Sequence, residues 1–168
     1  KDRPTRDCGG MTPEINVGTR RGRAFSLEKR ELPRTMILSV RDGEAAYAGQ
    51  WDTDPDSLRL AQKNADYSAY VRLIYRGAQI FALLAPSGSK DIYYVRQDEM
   101  WLHSGNAGRD IEFDDDGRSY VKASQTRLYN LAQNPNDTEH ELMVVPMMIG
   151  SAVYGFSFSD RCLVTELP

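Results

Sequence analysis

Apolar and polar residues alternate with a period of two in the clearest segments of this chain. This pattern limits its fold more than any other feature of the sequence. In residues 68–76 the apolar and aromatic side chains fall at every second position: Ala69, Val71, Leu73 and Tyr75. Such a period places them on one face of a β-strand, so we expect this set to point into the core. The same period near the C-terminus puts three aromatic residues on one face: Tyr154, Phe156 and Phe158.

Short apolar runs separated by turn signals fill the chain from residue 35 onward. Further strands are predicted near residues 36–40, 47–51, 57–60, 79–85, 92–95, 100–102, 111–113, 119–122 and 141–148. Pro146, inside the last of these runs, indicates an edge strand or a bulge. Residues 128–131 are interpreted as a single helical turn. No segment has the pattern of a three-turn helix, so the predicted fold class is all-β.

The 168 residues fit one domain with one core. We expect a β-sandwich over residues 35–168 and an N-terminal arm over residues 1–34 that packs on it. The arm contains an extended piece at residues 14–17 and a possible helical turn at residues 26–31. It is also locally basic, which indicates either a solvated arm or docking to an acidic partner or membrane surface.

Net charge and hydropathy argue against binding of nucleic acid and against a membrane-spanning helix. The formal net charge of −3 provides no global positive field for nucleic acid. No apolar run approaches the roughly 20 residues that a membrane-spanning helix needs. The first residues do not form a signal peptide, so either one has been removed or the chain is a piece of a longer protein. The sequence does not distinguish these alternatives.

Six short motifs resemble those of one family, and they occur in the family's order over residues 11–162. In this sequence they are Thr12-Pro13-Glu14 with Gly18, Gly49-Gln50-Trp51, Gly108-Arg109-Asp110-Ile111, Arg127-Leu128-Tyr129-Asn130-Leu131, His140-Glu141-Leu142 and Tyr154-Gly155-Phe156-Ser157-Phe158. The family is the C-terminal domain of DipZ-type thiol–disulfide transfer proteins, which are thioredoxin-like.

The resemblance implies an antiparallel jelly-roll sandwich, similar to carbohydrate-binding modules, that follows a thioredoxin-like domain with a Cys-x-x-Cys pair. It also implies a periplasmic or secreted setting and an association with thiol–disulfide traffic. This chain matches only the sandwich part, so no catalytic residue and no cofactor carry over. A similar fold does not by itself show which ligand a domain binds, so the likeness to carbohydrate-binding modules supports a glycan ligand only by analogy.

Trp101, His103 and Asp110 are the predicted binding residues. The loop between them, residues 104–108, is polar and free of bulky side chains, as suits a surface that admits a ligand. Trp101 offers a stacking face, His103 a hydrogen-bonding ring and Asp110 an acceptor for hydroxyls. The alternative is that Trp101 plugs one end of the sandwich and Asp110 holds a turn.

A broader aromatic platform for sugar rings is a second interpretation. Its candidate members are Tyr47, Trp51, Tyr93, Tyr94 and Trp101, although a sandwich core also needs large aromatic residues. Trp51, inside one of the family motifs, is expected in the core.

An acidic segment before Gly117 copies the first half of a calcium loop with Glu112, Asp114 and Asp116. The twelfth position is Ala123, where a calcium loop requires a bidentate Glu, so a solvated hairpin tip is the favoured interpretation. No metal site is therefore predicted beyond this weak calcium candidate. His140 is expected to be structural, and Asn136-Asp137-Thr138 fits a glycosylation sequon.

These observations predict a non-catalytic, extracytoplasmic binding or accessory module for a glycan or a protein partner. No Ser, His and acid fall in a recognisable nucleophile signature. One alternative is a thiol–disulfide exchange protein that uses Cys8 and Cys162. Another is a structural subunit of an envelope assembly that makes contacts through its basic arm and sheet edges.

Cys8 and Cys162 are the only cysteines, one near each end of the chain. The first and last strands of many β-sandwiches lie close together, so a disulfide between these residues is the favoured interpretation. Two unrelated thiols are the alternative.

We predict that thiol titration of protein kept under non-reducing conditions will find no free thiol. Closing so long a loop should stabilise the fold by about 5 kcal/mol in the chain-entropy model. A bridge that resists glutathione would be structural, whereas a labile bridge of high potential would favour exchange. Two titratable thiols would contradict the pairing.

Overall fold

Two β-sheets pack face to face in this computed structural model, which describes residues 11–20, 22, 24–27 and 40–159. No helix occurs in these described ranges. All strand pairs but one are antiparallel; the exception is the parallel pairing of residues 24–26 with residues 45–47. The predicted all-β sandwich, built mainly from antiparallel strands, is therefore confirmed.

Sheet A contains six of the described strands. Numbered in chain order over both sheets, they are β1 (Ile15–Asn16), β4 (Trp51–Thr53), β5 (Leu58–Leu60), β7 (Gln79–Ala85), β12 (Arg127–Gln133) and β14 (Ala152–Ser159). Their spatial order is β12-β7-β14-β5-β4, and β1 also pairs with β14.

Sheet B contains the other eight described strands. They are β2 (Ala24–Ser26), β3 (Ala45–Ala48), β6 (Tyr70–Arg76), β8 (Asp91–Gln97), β9 (Met100–Trp101), β10 (Ile111–Phe113), β11 (Ser119–Ala123) and β13 (Glu139–Pro146). Their spatial order is β10-β11-β8-β13-β6-β3-β2, and β9 also pairs with β8.

The core lies between the inner faces of the two sheets, and the predicted alternation in β6 fills part of it. Ala69, Val71, Leu73 and Tyr75 are all fully buried. In β14, Phe156 is buried, and the ring of Phe158 stacks on the ring of Tyr75 at 5.4 Å. These contacts bring the two clearest sequence patterns together from opposite sheets. Tyr154 does not share this inner face as predicted, because a register shift between Val153 and Gly155 interrupts β14, and its hydroxyl accepts a hydrogen bond from Arg59 on the outer face of sheet A.

Two N-terminal segments pair with the sheets: β1 with β14 and β2 with β3. Ile15 in β1 is fully buried, and the N–H of Val17 donates to the carbonyl of Tyr154. Gly18 lies so close to the 54–56 loop that a Cβ would fall 2.4 Å from the carbonyl oxygen of Pro55. A side chain at residue 18 would therefore force the two segments apart.

Several predicted features lie wholly or partly outside the described residues. The predicted helical turn at residues 26–31 begins at Ser26, which ends β2, and residues 28–31 are outside the described ranges. Of the predicted strand at 36–40 only Val40 is described. Cys8 and Cys162 also lie outside these ranges, so their pairing stays a prediction.

The helical turn predicted at residues 128–131 is wrong, because this segment is part of strand β12. A register shift between Asn130 and Ala132 interrupts its pairing with β7. As a result Tyr129, Asn130, Leu131 and Ala132 are consecutively buried. The bulge thus removes the period of two that marks a strand in the sequence.

Pro146 lies neither in an edge strand nor at a register shift of β13, so both predicted alternatives are wrong. Strand β13 is central and pairs with both β6 and β8. Pro146 is its last residue, and the register with β6 already ends at Val144. A missing N–H is tolerated there because the ladder that would use it has stopped.

A buried ring of hydrogen bonds ties β6 to β8 and to the segment after β12. The Tyr75 hydroxyl donates to Oε1 of Gln97 at 2.6 Å, and Nε2 of Gln97 donates to Oδ1 of Asn134 at 2.6 Å. Nδ2 of Asn134 donates back to the Tyr75 hydroxyl at 2.8 Å. Each side chain donates one hydrogen bond and accepts one within the ring, so three polar side chains are buried with hydrogen-bond partners.

Replacing Tyr75 by Phe should lower the free energy of unfolding by about 2 kcal/mol, because Gln97 and Asn134 would each keep a buried group without a partner. Urea denaturation measures the change. Tyr70→Phe, on the outer face of the same strand, serves as the control and should shift stability by less than about 0.5 kcal/mol. Equal effects of the two substitutions would contradict the role given to the buried ring.

Candidate ligand-binding surface

Four aromatic side chains cluster on the outer face of sheet B. Tyr94 is at the centre, and its ring centroid lies 5.5 Å from that of Tyr67, 5.8 Å from Trp101 and 6.1 Å from Tyr120. All three neighbours meet Tyr94 edge to face, an arrangement that the ring quadrupoles favour. We call Tyr67, Tyr94, Trp101 and Tyr120 the aromatic surface.

Strand alternation and one hairpin assemble this surface. Tyr93 and Val95 of β8 are fully buried, so Tyr94 must point outward. Tyr120 of β11 lies directly opposite Tyr94. Further along the same edge of β8, the hairpin between β8 and β9 turns at Asp98 and Glu99, both with positive φ, and returns Trp101 opposite Arg96. Two successive residues of positive φ make the tight hairpin turn.

Tyr67 is held on the surface in an unusual backbone conformation. Its φ of 59° lies in the left-handed region, which is disfavoured for a bulky residue. Its N–H donates to the carbonyl of Asn64, and its hydroxyl accepts a hydrogen bond from Nη1 of Arg118 at 3.1 Å. Strain of this kind persists only where surrounding contacts enforce it, and it concentrates at functional sites.

Two arginines flank the aromatic surface. The Cζ atom of Arg118 lies 5.7 Å from the ring centroid of Tyr94, and that of Arg96 lies 5.3 Å from the ring of Trp101. Arg118 is fixed by Asp114, with Nε to Oδ2 at 2.8 Å, and by Asp116, with Nη2 to Oδ2 at 2.9 Å. The surface therefore joins aromatic rings to oriented hydrogen-bond donors.

The electrostatics of this cluster keep Asp114 ionised. Burial acts to raise the pKa of the Asp114 carboxyl, but hydrogen bonds from the backbone and guanidinium of Arg118 outweigh it, and the pKa is lowered. Burial, followed by the proximity of Tyr67, raises the pKa of the Tyr94 hydroxyl. Tyr94 is therefore a neutral phenol beside a charged ion pair at neutral pH.

The structure does not gather the three predicted binding residues at one point. Trp101 is half-buried and contacts Tyr94 and Arg96. His103 is exposed, and its Nδ1 accepts a hydrogen bond from the N–H of Gly105 within the same loop. Asp110 contacts another strand, in sheet A.

Asp110 anchors the end of its loop to β12. Its carboxylate lies 3.0 Å from Nη2 of Arg127 and accepts a hydrogen bond from the N–H of Asn130 at 2.7 Å. The N–H of Gly108 donates to the carbonyl of Leu131. A Cβ at Gly108 would lie 2.4 Å from the carbonyl oxygen of Asn130. The C-terminal end of loop 104–108 is thus hydrogen-bonded to sheet A. This arrangement agrees with the alternative interpretation, in which Asp110 holds a turn.

Two residues of the broader predicted platform, Tyr94 and Trp101, belong to the aromatic surface. Trp51 is half-buried, packs against the core and donates from Nε1 to the carbonyl of Ala48, and Tyr47 meets its ring edge to face. Tyr93 is fully buried, and its hydroxyl donates to the carbonyl oxygens of Ala85 and Ala152 in sheet A.

Sequence reasoning missed Tyr67 and Tyr120 as members of the surface. Tyr120 had a usable signal, because it alternates with Ser119 and Val121 in a predicted strand. Tyr67 lies in a loop between strands, so no periodicity places it. Its position depends on long-range contacts with Tyr94 and Arg118.

The acidic segment forms a hairpin tip. Asp114 Oδ1 accepts hydrogen bonds from the N–H groups of Asp116 and Arg118, and Gly117 takes a positive φ of 76°. Glu112 is on β10, opposite Tyr120. Within the described ranges, no three His, Cys, Asp or Glu side chains are grouped to hold a metal ion.

His140 forms a polar chain at the start of β13. Its Nδ1 lies 2.7 Å from Oδ2 of Asp98, and its Nε2 lies 3.2 Å from the hydroxyl of Thr138. That hydroxyl also lies 2.7 Å from Oδ1 of Asn136, to which it donates. The hydrogen bond from Thr138 to Asn136 closes a turn before β13, and His140 links this turn to Asp98.

A second concave region, of about 810 Å³, lies on the outer face of sheet A. Its floor includes Leu83 of β7 and Leu128 of β12, which are directly opposite each other, and Tyr154 of β14 also lines it. The exposed pair Arg20 and Asp56 lies at its rim, 3.7 Å apart. We call this region the sheet A cleft.

Asp110→Asn should lower the free energy of unfolding at pH 7 by about 2 kcal/mol, because the charge-assisted bonds to Arg127 and Asn130 weaken. Burial alone raises the pKa of Asp110, but hydrogen bonds from Arg127 and the Asn130 N–H lower it overall. A carboxylate with a lowered folded pKa stabilises fully above its ordinary pKa of about 4. That contribution is lost as pH falls through the folded value, so the variant and the wild type should converge in acid.

Urea denaturation between pH 7 and pH 3 measures this effect. Asp115→Asn, at an exposed position of the hairpin tip, is the matched control and should change little. Combining Asp110→Asn with Arg127→Gln should cost less than the sum of the single changes, since the two side chains share one interaction. Additive losses would show that Asp110 and Arg127 act independently.

Two comparisons with known proteins found similarities. The family model described as "Thioredoxin like C-terminal domain" matches residues 12–159. The family two carbohydrate esterase from Cellvibrio japonicus is a similar solved structure, with a TM-score of 0.49 and 16% identity. The similarity covers 67% of this chain and 29% of the esterase chain. No curated protein matches.

Several residues of the six motifs have structural roles in this chain. Gly18 and Gly108 permit close backbone approach, Asp110 pairs with Arg127 across two motifs, and Phe156 fills the core. The family match covers nearly all of the described residues. This chain belongs to the thioredoxin-like C-terminal domain family.

Proposed function

We propose that this domain is a non-catalytic accessory module that works outside the cytoplasm and binds a glycan on the aromatic surface. The observation that carries the proposal is the clustering of Tyr67, Trp101 and Tyr120 around Tyr94 on one sheet face. The family membership supports an accessory role.

The chemistry of the surface suits a sugar ring. The C–H groups of a pyranose pack against aromatic rings, which supply large rigid contact areas. Sugar hydroxyls need oriented donors and acceptors, and the hydroxyl of Tyr67 with the ion pair of Arg118 and Asp114 supplies both. Pockets and surfaces that bind small polar ligands combine apolar area with a few such groups.

Preorganisation favours binding here. Arg118 is held by two carboxylates, and Tyr67 is held by Arg118 and Tyr94. Side chains fixed before binding lose little conformational freedom when a ligand arrives. The strained backbone of Tyr67 indicates that this arrangement is maintained against a local cost.

The non-catalytic and extracytoplasmic parts of the proposal have separate support. The sequence contains no Cys-x-x-Cys pair, which in thioredoxin-type proteins supplies the low-pKa nucleophile. The resemblance to domains of thiol–disulfide transfer proteins supports the extracytoplasmic setting. The alternative is a thiol–disulfide exchange protein that uses Cys8 and Cys162. Thiol titration, together with the reduction potential of their disulfide, distinguishes this alternative from a non-catalytic module.

A protein partner is the second candidate ligand, and the sheet A cleft is the surface that favours it. Leu128 is 50% exposed there beside Leu83, and an apolar floor with a charged rim is typical of protein contacts. In this case Leu128 would be an anchor residue. An envelope assembly could use the same contact.

Trp101→Ala should reduce glycan affinity at least about tenfold, since one aromatic contact contributes about 1.5 kcal/mol. A panel of immobilised neutral and acidic polysaccharides identifies the bound class, and calorimetry with an oligosaccharide of that class gives the Kd. Trp101 is only half-buried, so the variant should lose about 1 kcal/mol of stability, less than the 3–5 kcal/mol typical of a buried aromatic.

Tyr154→Ala, which changes an aromatic residue in the sheet A cleft, is the matched control and should bind glycan as the wild type does. Loss of binding in this control alone would move the site to sheet A. Failure of the wild-type protein to bind any polysaccharide in the panel would refute the proposal. A collapse of stability in Trp101→Ala would show instead that Trp101 plugs the sandwich.

A further inference from the structure

A small cavity of about 290 Å³ adjoins the aromatic surface on the outer side of sheet B. It is lined by Arg72, Arg96, Glu99, Glu141 and Met143. Met143 of the central strand β13 lies opposite Arg72 on one side and Arg96 on the other. The two arginines therefore flank one methionine in a single cross-strand row.

Arg96 connects this cavity to the aromatic surface. It lies two residues from Tyr94 on the same face of β8, and its guanidinium lies over the ring of Trp101. One of its Nη atoms donates to the carbonyl of Glu99 in the adjacent hairpin turn. A ligand stacked on Trp101 would therefore have Arg96 beside it.

Both arginines carry a hydrogen-bond donor that has no acceptor. The Nε atoms of Arg72 and Arg96 are buried and have no hydrogen-bond partner among the described residues. Arg72 uses only Nη2 on Glu141, at 3.0 Å from Oε2. Buried polar groups are nearly always satisfied, and a donor on a charged group is costly to leave without an acceptor. Both donors belong to side chains that line one cavity, so an acceptor placed there would satisfy them after a local rotation of each guanidinium.

We infer that the cavity is a subsite for a carboxylate, so that the glycan bound on the aromatic surface is an acidic one containing uronic acid residues. The inference rests on the proposed function. A guanidinium that offers Nε and one Nη to a carboxylate forms the bidentate pair for which arginine is suited. The carboxylate would lie between Arg72 and Arg96 while its sugar ring packs toward Trp101.

Glu141 sets the strength of this subsite. Its side chain is 19% exposed, and its carboxylate already pairs with Arg72. It therefore competes with an incoming carboxylate for the same guanidinium and repels it. The two glutamates and two arginines that line the cavity balance in charge. A neutral lining gives selectivity through hydrogen-bond geometry and does not attract every anion through net charge.

The test compares trigalacturonic acid with its methyl ester, which has the same sugar rings but no free carboxylates. Calorimetry on the whole chain should give at least about tenfold tighter binding of the acid, the effect of one charge-assisted hydrogen bond. The double variant Arg72→Gln with Glu141→Gln removes the ion pair without leaving a lone charge, and it should abolish the preference. Glu141→Gln alone should strengthen binding of the acid, because the competing carboxylate is removed.

The outcomes separate this inference from the proposed function. Equal binding of acid and ester, with both sensitive to Trp101→Ala, would overturn the carboxylate subsite and leave the glycan surface standing. Binding of neutral oligosaccharides alone would have the same meaning. Unaltered preference for the acid in the double variant would also overturn the assignment, provided that thermal unfolding shows the variant to be folded. Preference for the acid that is lost in the double variant and increased in Glu141→Gln would support it.

Discussion

Burial of one face of the regularly alternating strands is the constraint on which the rest of this structure depends. In β8 the inner positions are occupied by Asp91, Tyr93, Val95 and Gln97, all of them buried. Once these side chains are fixed in the core, the intervening residues must point outward, because a register shift of one residue would move every side chain to the opposite face. The outward position of Tyr94, and with it the centre of the aromatic surface, is therefore a consequence of core packing.

The inner positions also carry polar groups, and these are tied by specific partners. The ring of hydrogen bonds through Tyr75, Gln97 and Asn134 lies in the sandwich interior. Asn64 secures the loop that carries Tyr67 by donating to the carbonyl oxygens of Ala69 and Pro146. Polar networks that are fully satisfied specify one packing arrangement more strictly than apolar contacts do. The strands beneath the aromatic surface are therefore held in one defined register.

The sequence predicts the fold class and most strands because alternation and turn residues are local signals. The prediction fails at β12, where the bulge near Asn130 buries consecutive residues. It also fails at Pro146, because a proline is tolerated in β13 only where the pairing with β6 has ended, and the sequence does not show where that is. Of the candidate site, Trp101 and Tyr94 could be named from composition and residue type. Tyr67 and the Arg72–Met143–Arg96 row could not, because strand order, and not sequence distance, brings these residues together.

The hydroxyl of Tyr93 gives this sandwich a mechanical property. Tyr93 belongs to sheet B, yet its hydroxyl lies 3.0 Å from the carbonyl oxygen of Ala85 and 3.1 Å from that of Ala152, on two different strands of sheet A. Sliding of one sheet over the other would break these bonds in the dry interior, where no water replaces them. Small shear movements, a common way for packed layers to adjust to a ligand, are therefore opposed at the residue next to Tyr94. The two sheets are therefore held as one rigid body, and their outer faces keep a fixed position relative to each other.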